Sequence, residues 1–219
     1  MKDLEPYIAG EVRTPDERGR ISVSITPPAV AQLLAWSSDA QVKSIHESGH
    51  ACVSVLLGVK VKTLDIKPRF GGCTVVADGD EEEPSIRSAS AHLNLVVIAL
   101  AAREAEIAIL GEPTDLNSSD ISYATNLARA RFVGGMDLDA PAGGLDIDFF
   151  TQASAVLGDA LISSIVQTLT TARERARVLV AEHKDQIIAL ARIIYEARRL
   201  SDEPLAAAFR EIGLDPDRK

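Results

Sequence analysis

His46-Glu47-Ser48-Gly49-His50 sets two imidazoles four residues apart with a carboxylate beside the first. On an α-helix, residues i and i+4 lie one above the other on the same face, so both rings can reach a single metal ion. The glutamate then stands beside the ion's open position, where it can act on a water molecule rather than on the metal. The chain holds 4 histidines, and shuffling its composition produces this string roughly 0.005 times per chain. Coincidence is a poor explanation. Imidazole and carboxylate donors in four-coordinate geometry suit zinc best among the common divalent ions.

A hydrolytic zinc site needs a third protein ligand and leaves the fourth position to solvent. His92 and His183 both fall in helical apolar contexts, where a packed or surface histidine is the ordinary role. Glu104 and Glu106 sit on a long apolar helix, and salt-bridged faces account for them equally well. Asp120 is the stronger candidate. It falls in the first turn of a predicted helix, where the macrodipole favours an ionised carboxylate, and it follows a polar loop able to fold over the histidine helix. Asp115, in that loop, is a weaker neighbour. The two cysteines, Cys52 and Cys73, are too few for a disulfide framework and lack the spacing of a thiolate zinc site, so both read as small buried side chains. Spacing does not place Tyr123 or His92 as a stabiliser of an oxyanion.

These residues need elements to hold them. Ser38 and Gln41 form an S-x-x-Q capping box, from which a helical pattern runs to Leu57 and stops at Gly58. On this helix Val42, Ile45, Gly49, Cys52, Val53 and Leu56 make an apolar stripe, with the histidines along its edge at the wall of a cleft. Gly49 costs about 1 kcal/mol of helix propensity relative to alanine, which points to close approach of another backbone. The β-branched stretches Val61 to Lys67 and Cys73 to Ala77, separated by Pro68-Arg69-Phe70-Gly71-Gly72, predict a small hairpin. A long helix with a continuous apolar stripe from Ile86 to Ile107 ends at Gly111 and serves as the central packing element. A third helix begins at Ser118 or Ser119 and reaches about Phe132. The stretch 134–148, rich in glycine and aspartate, reads as a mobile loop, either gating the cleft or merely connecting. Phe149 to Leu200 is helical with a break near His183, and a last helix runs from Ser201 to Gly213. The expectation is a mainly α protein with a small β-hairpin, an α+β fold, in which residues 39–219 form one domain. Residues 1–38 form an arm or flap whose alternating segment is Ile21 to Ile25.

The chain has 219 residues, 46% of them hydrophobic, so it can bury a substantial core. Acidic residues outnumber basic ones 32 to 23, for a net charge of −9, which opposes attachment to nucleic acid or to anionic lipid. The most apolar stretch, Leu93 to Leu110, is interrupted by Arg103, Glu104 and Glu106 and falls short of a membrane span. The amino terminus lacks the basic and apolar regions of a secretory signal. A cytoplasmic location is the expectation.

Several separated segments resemble the peptidase domain of the FtsH-type ATP-dependent zinc proteases. His46-Glu47-Ser48-Gly49-His50-Ala51 is similar to that family's H-E-A-G-H-A, and Ile66-Lys67-Pro68-Arg69 with Gly72 is similar to its I-x-P-R-G turn. Arg103, Ala105, Glu106 and Gly111 match G-G-R-x-A-E-x-x-x-x-G, although the paired glycines are Ala101 and Ala102 here. Ser119-Asp120-Ile121-Ser122-Tyr123-Ala124-Thr125-Asn126-Leu127-Ala128-Arg129 resembles S-N-D-I-x-x-A-T-N-L-A-R, shortened or substituted around the serines. Residues 1–38 show no recognisable motif of the family.

The resemblance implies a helical zincin, with Zn2+ held by His46, His50 and Asp120, Glu47 as general base, and peptide bonds of flexible or unfolded protein as substrate. It also implies six-fold rings. The family joins this domain to a membrane anchor and an ATPase module, whereas the 219 residues contain no G-x-x-x-x-G-K-[ST] phosphate loop. Either flexible segments are cleaved unaided, or a separate ATPase delivers them. The rival expectation is a catalytically silent scaffold of the same fold. Glu47 argues against it, as does the lack of a fourth protein ligand to close the site.

Overall fold

The computed structural model describes residues 10–12, 23–25, 39–66, 73–76, 87–136 and 155–217. Contacts divide the chain into two units, Met1–Val42 and Lys43–Lys219. In the first, strands β1 (Gly10–Val12) and β2 (Val23–Ile25) pair antiparallel with Val12 opposite Val23. The alternating segment is thus a strand over its last three residues. Ser38 of the predicted capping box lies outside the described residues.

Helix α1 spans Asp39–Leu56 and ends where Gly58 takes a left-handed conformation, φ 71°. Strands β3 (Val61–Asp65) and β4 (Cys73–Val76) follow as an antiparallel pair with Leu64 opposite Thr74; the loop predicted between them, residues 67–72, lies outside the described residues. Helix α2 (Ala89–Leu110) starts at Ser88, whose Oγ accepts the Ala91 N–H at 3.2 Å, and stops at Gly111, φ 90°. A short 3-10 turn, Asp115–Asn117, leads directly into α3 (Ser118–Val133). Gly134 to Met136 make the turn that follows; 137–148, the rest of the predicted loop, is outside the described residues.

The last part differs from expectation in one respect. Helix α4 (Ala155–Glu182) breaks at His183, as predicted, and α5 (Lys184–Ala197) follows. The chain then forms a third strand, β5 (Arg199–Ser201), before α6 (Asp202–Glu211). Arg198 ends α5 in the left-handed conformation, φ 64°, and its carbonyl accepts the Ile66 N–H at 3.0 Å. From there β5 pairs antiparallel with β3, Leu200 opposite Leu64, in the sheet order β4-β3-β5. Pairing with a strand distant in sequence overrides the local helical periodicity of residues 199–200.

The fold is mainly helical with a small antiparallel sheet, as expected. Helix α2 occupies the centre, packed against α3, α4 and α5, and its residues Val96 to Ala102 are all buried. Helix α1 departs from the predicted one-sided stripe. Every residue from Ser44 to Val55 is buried, whereas Val42 and Leu56 are only half-buried. Small side chains at Ser44, Ser48, Gly49, Ala51, Cys52 and Ser54 let neighbours approach this helix closely, and both histidines are buried. Among the described residues, no helix is long and apolar enough to cross a membrane.

Candidate metal centre

Helices α1 and α2 run antiparallel and close together, and Gly49 is the reason they can. A Cβ there would lie 2.8 Å from Ala105 Cβ and 3.0 Å from Ala102 Cα, closer than real side chains pack. This is the backbone approach that a glycine inside the helix implied. The same approach brings His46 against Glu106 and His50 against the Ile98 carbonyl.

His50 Nδ1 lies 2.8 Å from the Ile98 oxygen. A carbonyl only accepts, so the ring proton sits on Nδ1 and Nε2 presents a lone pair. His46 Nδ1 lies 2.7 Å from Glu106 Oε1, which sets the same tautomer. Glu106 is fully buried. Its Oε2 also accepts the Thr114 N–H at 2.5 Å and the Asn117 side-chain amide at 2.8 Å. Burial pushes the Glu106 carboxyl pKa up, but these donors and His46 hold it below its ordinary value. The charge is thus fixed behind the ring.

The turn that carries Thr114 and Asn117 starts α3, whose third residue is Asp120. Asp120 Oδ2 stands 3.1 Å from His46 Nε2 and 3.3 Å from His50 Nε2, and the two rings meet edge to face, 5.0 Å between centroids. Tetrahedral zinc with bonds of 2.0–2.2 Å holds its ligand atoms about 3.3 Å apart. Asp120 Oδ2 is buried and makes no hydrogen bond of its own. Lone pairs on two nitrogens and an oxygen therefore converge on one point with no proton assigned between them, a donor set that calls for a cation and fits zinc.

Against this geometry stand the comparisons with known proteins. No family model matches the chain. ATP-dependent zinc metalloprotease FtsH 1 of Symbiobacterium thermophilum is 32% identical over 81% of this chain and 27% of its own length. The FtsH 1 protein of Thermoanaerobacter sp. is 25% identical over 95% of this chain and 34% of its own. A chloroplastic FTSH 1 of Oryza sativa is 26% identical over 95% and 32%. The chain is homologous to the peptidase domain of FtsH-type zinc metalloproteases. It spans about a third of the length of these relatives.

The FtsH-type arrangement His46-Glu47-x-x-His50 with Asp120 matches the metal-binding geometry of zincins, and among the described residues His46, His50 and Asp120 form a cluster able to hold a metal ion. The electrostatics agree. Burial disfavours a charged His46, but Asp120, Glu106 and Glu47 outweigh it and raise its pKa to about 9. Asp120 shows the mirror image: burial pushes its carboxyl up, yet His46 and His50 hold it far below the usual carboxylate range. Without an ion the site takes up a proton in its place. Glu47 is buried on α1 next to His46.

The other candidates sit elsewhere. Glu104 ties α2 to α4, accepting from Arg173 Nε at 2.9 Å and from Arg103 at 2.8 Å. Asp115 is exposed in the 3-10 turn. His92 is buried on α2, and His183 bonds Gln186 at the start of α5. Cys52 is fully buried and its thiol pKa is pushed up by that burial, which leaves it inert; the Cys73 side chain lies outside the described residues. Sequence reasoning missed the supporting shell. Thr114 and Asn117 belong to the polar loop before Asp120, which gave no sign of their role, and the Ile98 carbonyl carries no side-chain signal. Glu106 was weighed as a ligand, whereas it orients one.

Proposed function

We propose that this chain is a zinc-dependent endopeptidase acting on flexible or unfolded protein segments, with residues 39–219 as the peptidase-like domain. The convergence of His46 Nε2, His50 Nε2 and Asp120 Oδ2 carries this reading. These residues hold the ion. When bound, zinc supplies Lewis acidity, lowering the pKa of a coordinated water to about 7 and polarising a carbonyl. Glu47 takes the proton of the attacking water and passes it to the departing amine, a role that needs reach to the water and no bond to the metal. Glu106 and the Ile98 carbonyl fix the two rings in the Nδ1–H tautomer so that Nε2 stays free to bind. Strand β4 lies at one edge of the described sheet, where an extended substrate can add as a further strand; this favours unfolded chain over folded protein.

The relatives are named ATP-dependent, and these 219 residues contain no phosphate loop. The proposal includes delivery of substrate by an ATPase, or cleavage of segments already flexible, in a cytoplasmic setting and in a ring of identical copies. The test is casein cleavage by the zinc-loaded protein and by Glu47→Gln, with zinc content measured on both. The expected result is full zinc in both and turnover only with Glu47, lower by at least about a hundredfold in the variant. Cleavage that survives the substitution would remove Glu47 from the mechanism. Full zinc with no cleavage of casein by the natural protein would establish the silent scaffold instead.

A further inference from the structure

Asparagine is favoured at the position before a helix because its side-chain oxygen can accept an N–H of the first turn. Asn117 holds that position in front of α3 and does not use it. Its backbone is helical, φ −71° and ψ −5°, and its side chain makes no capping bond. The amide turns the other way. Asn117 is 3% exposed, and its Nδ2 donates to Glu106 Oε2 at 2.8 Å and to the Thr114 carbonyl at 3.0 Å. Both partners only accept, so the nitrogen must face them. Oδ1 is left buried with no donor among the described residues. An unpaired buried acceptor destabilises a fold, so what asparagine contributes here is its N–H groups.

The place of the Glu106 bond gives those groups their meaning. Glu106 accepts from His46 Nδ1 and Thr114 Oγ1 on Oε1, and from the Thr114 N–H and Asn117 on Oε2. The Thr114 bonds fasten the start of the 3-10 turn, well before Asp120. The Asn117 bond fastens its end, and residues three apart at the start of α3 are neighbours on one side of it. The carboxylate that orients His46 is thereby tied to the turn of backbone that carries Asp120. We propose that Asn117 is a positioning residue of the metal centre, which through its bond to Glu106 sets where the Asp120 carboxylate stands relative to His46 and His50. The proposal rests on the metal-site reading; Asn117 is not itself a ligand.

The test compares Asn117→Ser and Asn117→Leu with the natural protein. Serine caps a helix as well as asparagine does but is too short to reach Glu106. Leucine keeps the bulk and removes the unpaired oxygen together with the donor. Both variants should weaken zinc binding about tenfold in chelator competition. Loaded with Co2+, whose visible spectrum reports ligand set and geometry, both should shift toward the spectrum of Asp120→Ala. In the Asp120→Ala background the same substitutions should change zinc affinity by less than about twofold, because the ligand they place is gone. Natural affinity and spectrum in either variant overturn the proposal, and in serine alone they would mark a capping role. A tenfold loss that persists in the Asp120→Ala background also overturns it, since Asn117 would then support the fold in general. If the leucine variant does not fold, the serine variant decides. Metal binding without cleavage of any substrate ends the peptidase reading and leaves this test intact; no binding of either ion by the natural protein overturns both.

Discussion

Glu106 holds His46 through Nδ1 and at the same time collects the Thr114 and Asn117 donors of the turn that delivers Asp120. One buried carboxylate thus positions ligands from two helices without being a ligand itself. Glu106→Gln should weaken zinc binding about 10- to 100-fold in chelator competition. Glu104→Gln, two residues away and bonded to Arg173 instead, should leave the affinity unchanged. Equal effects would mean that the loss is one of general stability. The same charges set a pH dependence for the metal-free protein. The His46 pKa rises from 6.5 to about 9 on folding, so its contribution is complete below 6.5 and disappears as pH climbs through 9. Asp120 is depressed from 3.8, so its contribution is present above that value and is lost on further acidification. The metal-free protein should accordingly be most stable between these limits. Its urea midpoint should fall from pH 6.5 to 9, and Asp120→Asn should flatten that fall. Zinc affinity should move the opposite way over this window, because the ion competes with the proton for Nε2.

Gly49 decides how closely two helices meet. Alanine there would gain about 1 kcal/mol of helix propensity but would drive a methyl to 2.8 Å from Ala105 Cβ and 3.0 Å from the Ala102 backbone. Backbone cannot rotate away as a side chain can, so α1 must shift. Gly49→Ala should destabilise the protein by a net 1–3 kcal/mol in urea unfolding and lower zinc affinity, since His46 and His50 move away from Glu106 and Ile98. Unchanged stability and zinc binding would show that the interface can relax. The same helix marks the limit of what a sequence discloses. The H-E-x-x-H spacing and the glycine were legible because each has a local geometric meaning, and so were the Gly111 end of α2 and the break at His183, whereas the Ser88 cap that starts α2 after Ile86 was not read. Burial of α1 on every side was not, because serine, alanine and cysteine carry too little hydropathy to distinguish an enclosed face from a polar one. Strand β5 was equally hidden, since its only cause is pairing with β3 across more than half of the chain. Asp120 could be favoured from its place in a first turn, but its distance from the histidines follows from the Thr114–Asn117 turn locking onto Glu106, which no spacing rule contains.

The ligands of the cluster come from α1 and α3, separated in sequence by the β3–β4 pair and all of α2, so an ion held between them cross-links the domain. Stabilisation by a ligand of the native state grows as RT ln(1 + [L]/Kd), about 4 kcal/mol when free zinc exceeds Kd a thousandfold. In a chain of this length each 1 kcal/mol shifts the midpoint by about 2–4 °C. Zinc should therefore raise the Tm of the metal-free protein by roughly 8–16 °C under those conditions, somewhat less if unfolded histidines also bind the ion. Three variants separate the contributions. Glu47→Gln should keep the whole shift, because the base does not hold the metal. Asp120→Ala should abolish most of it while the metal-free variant still unfolds cooperatively, since removing a half-open carboxylate leaves the α1–α2 interface intact. Glu106→Gln should fall between, reduced by the 10- to 100-fold loss in affinity, or about 1.4–2.7 kcal/mol. A full zinc shift in Asp120→Ala would mean that α3 contributes no ligand, and the cross-link would then have to be sought within the α1–α2 pair alone.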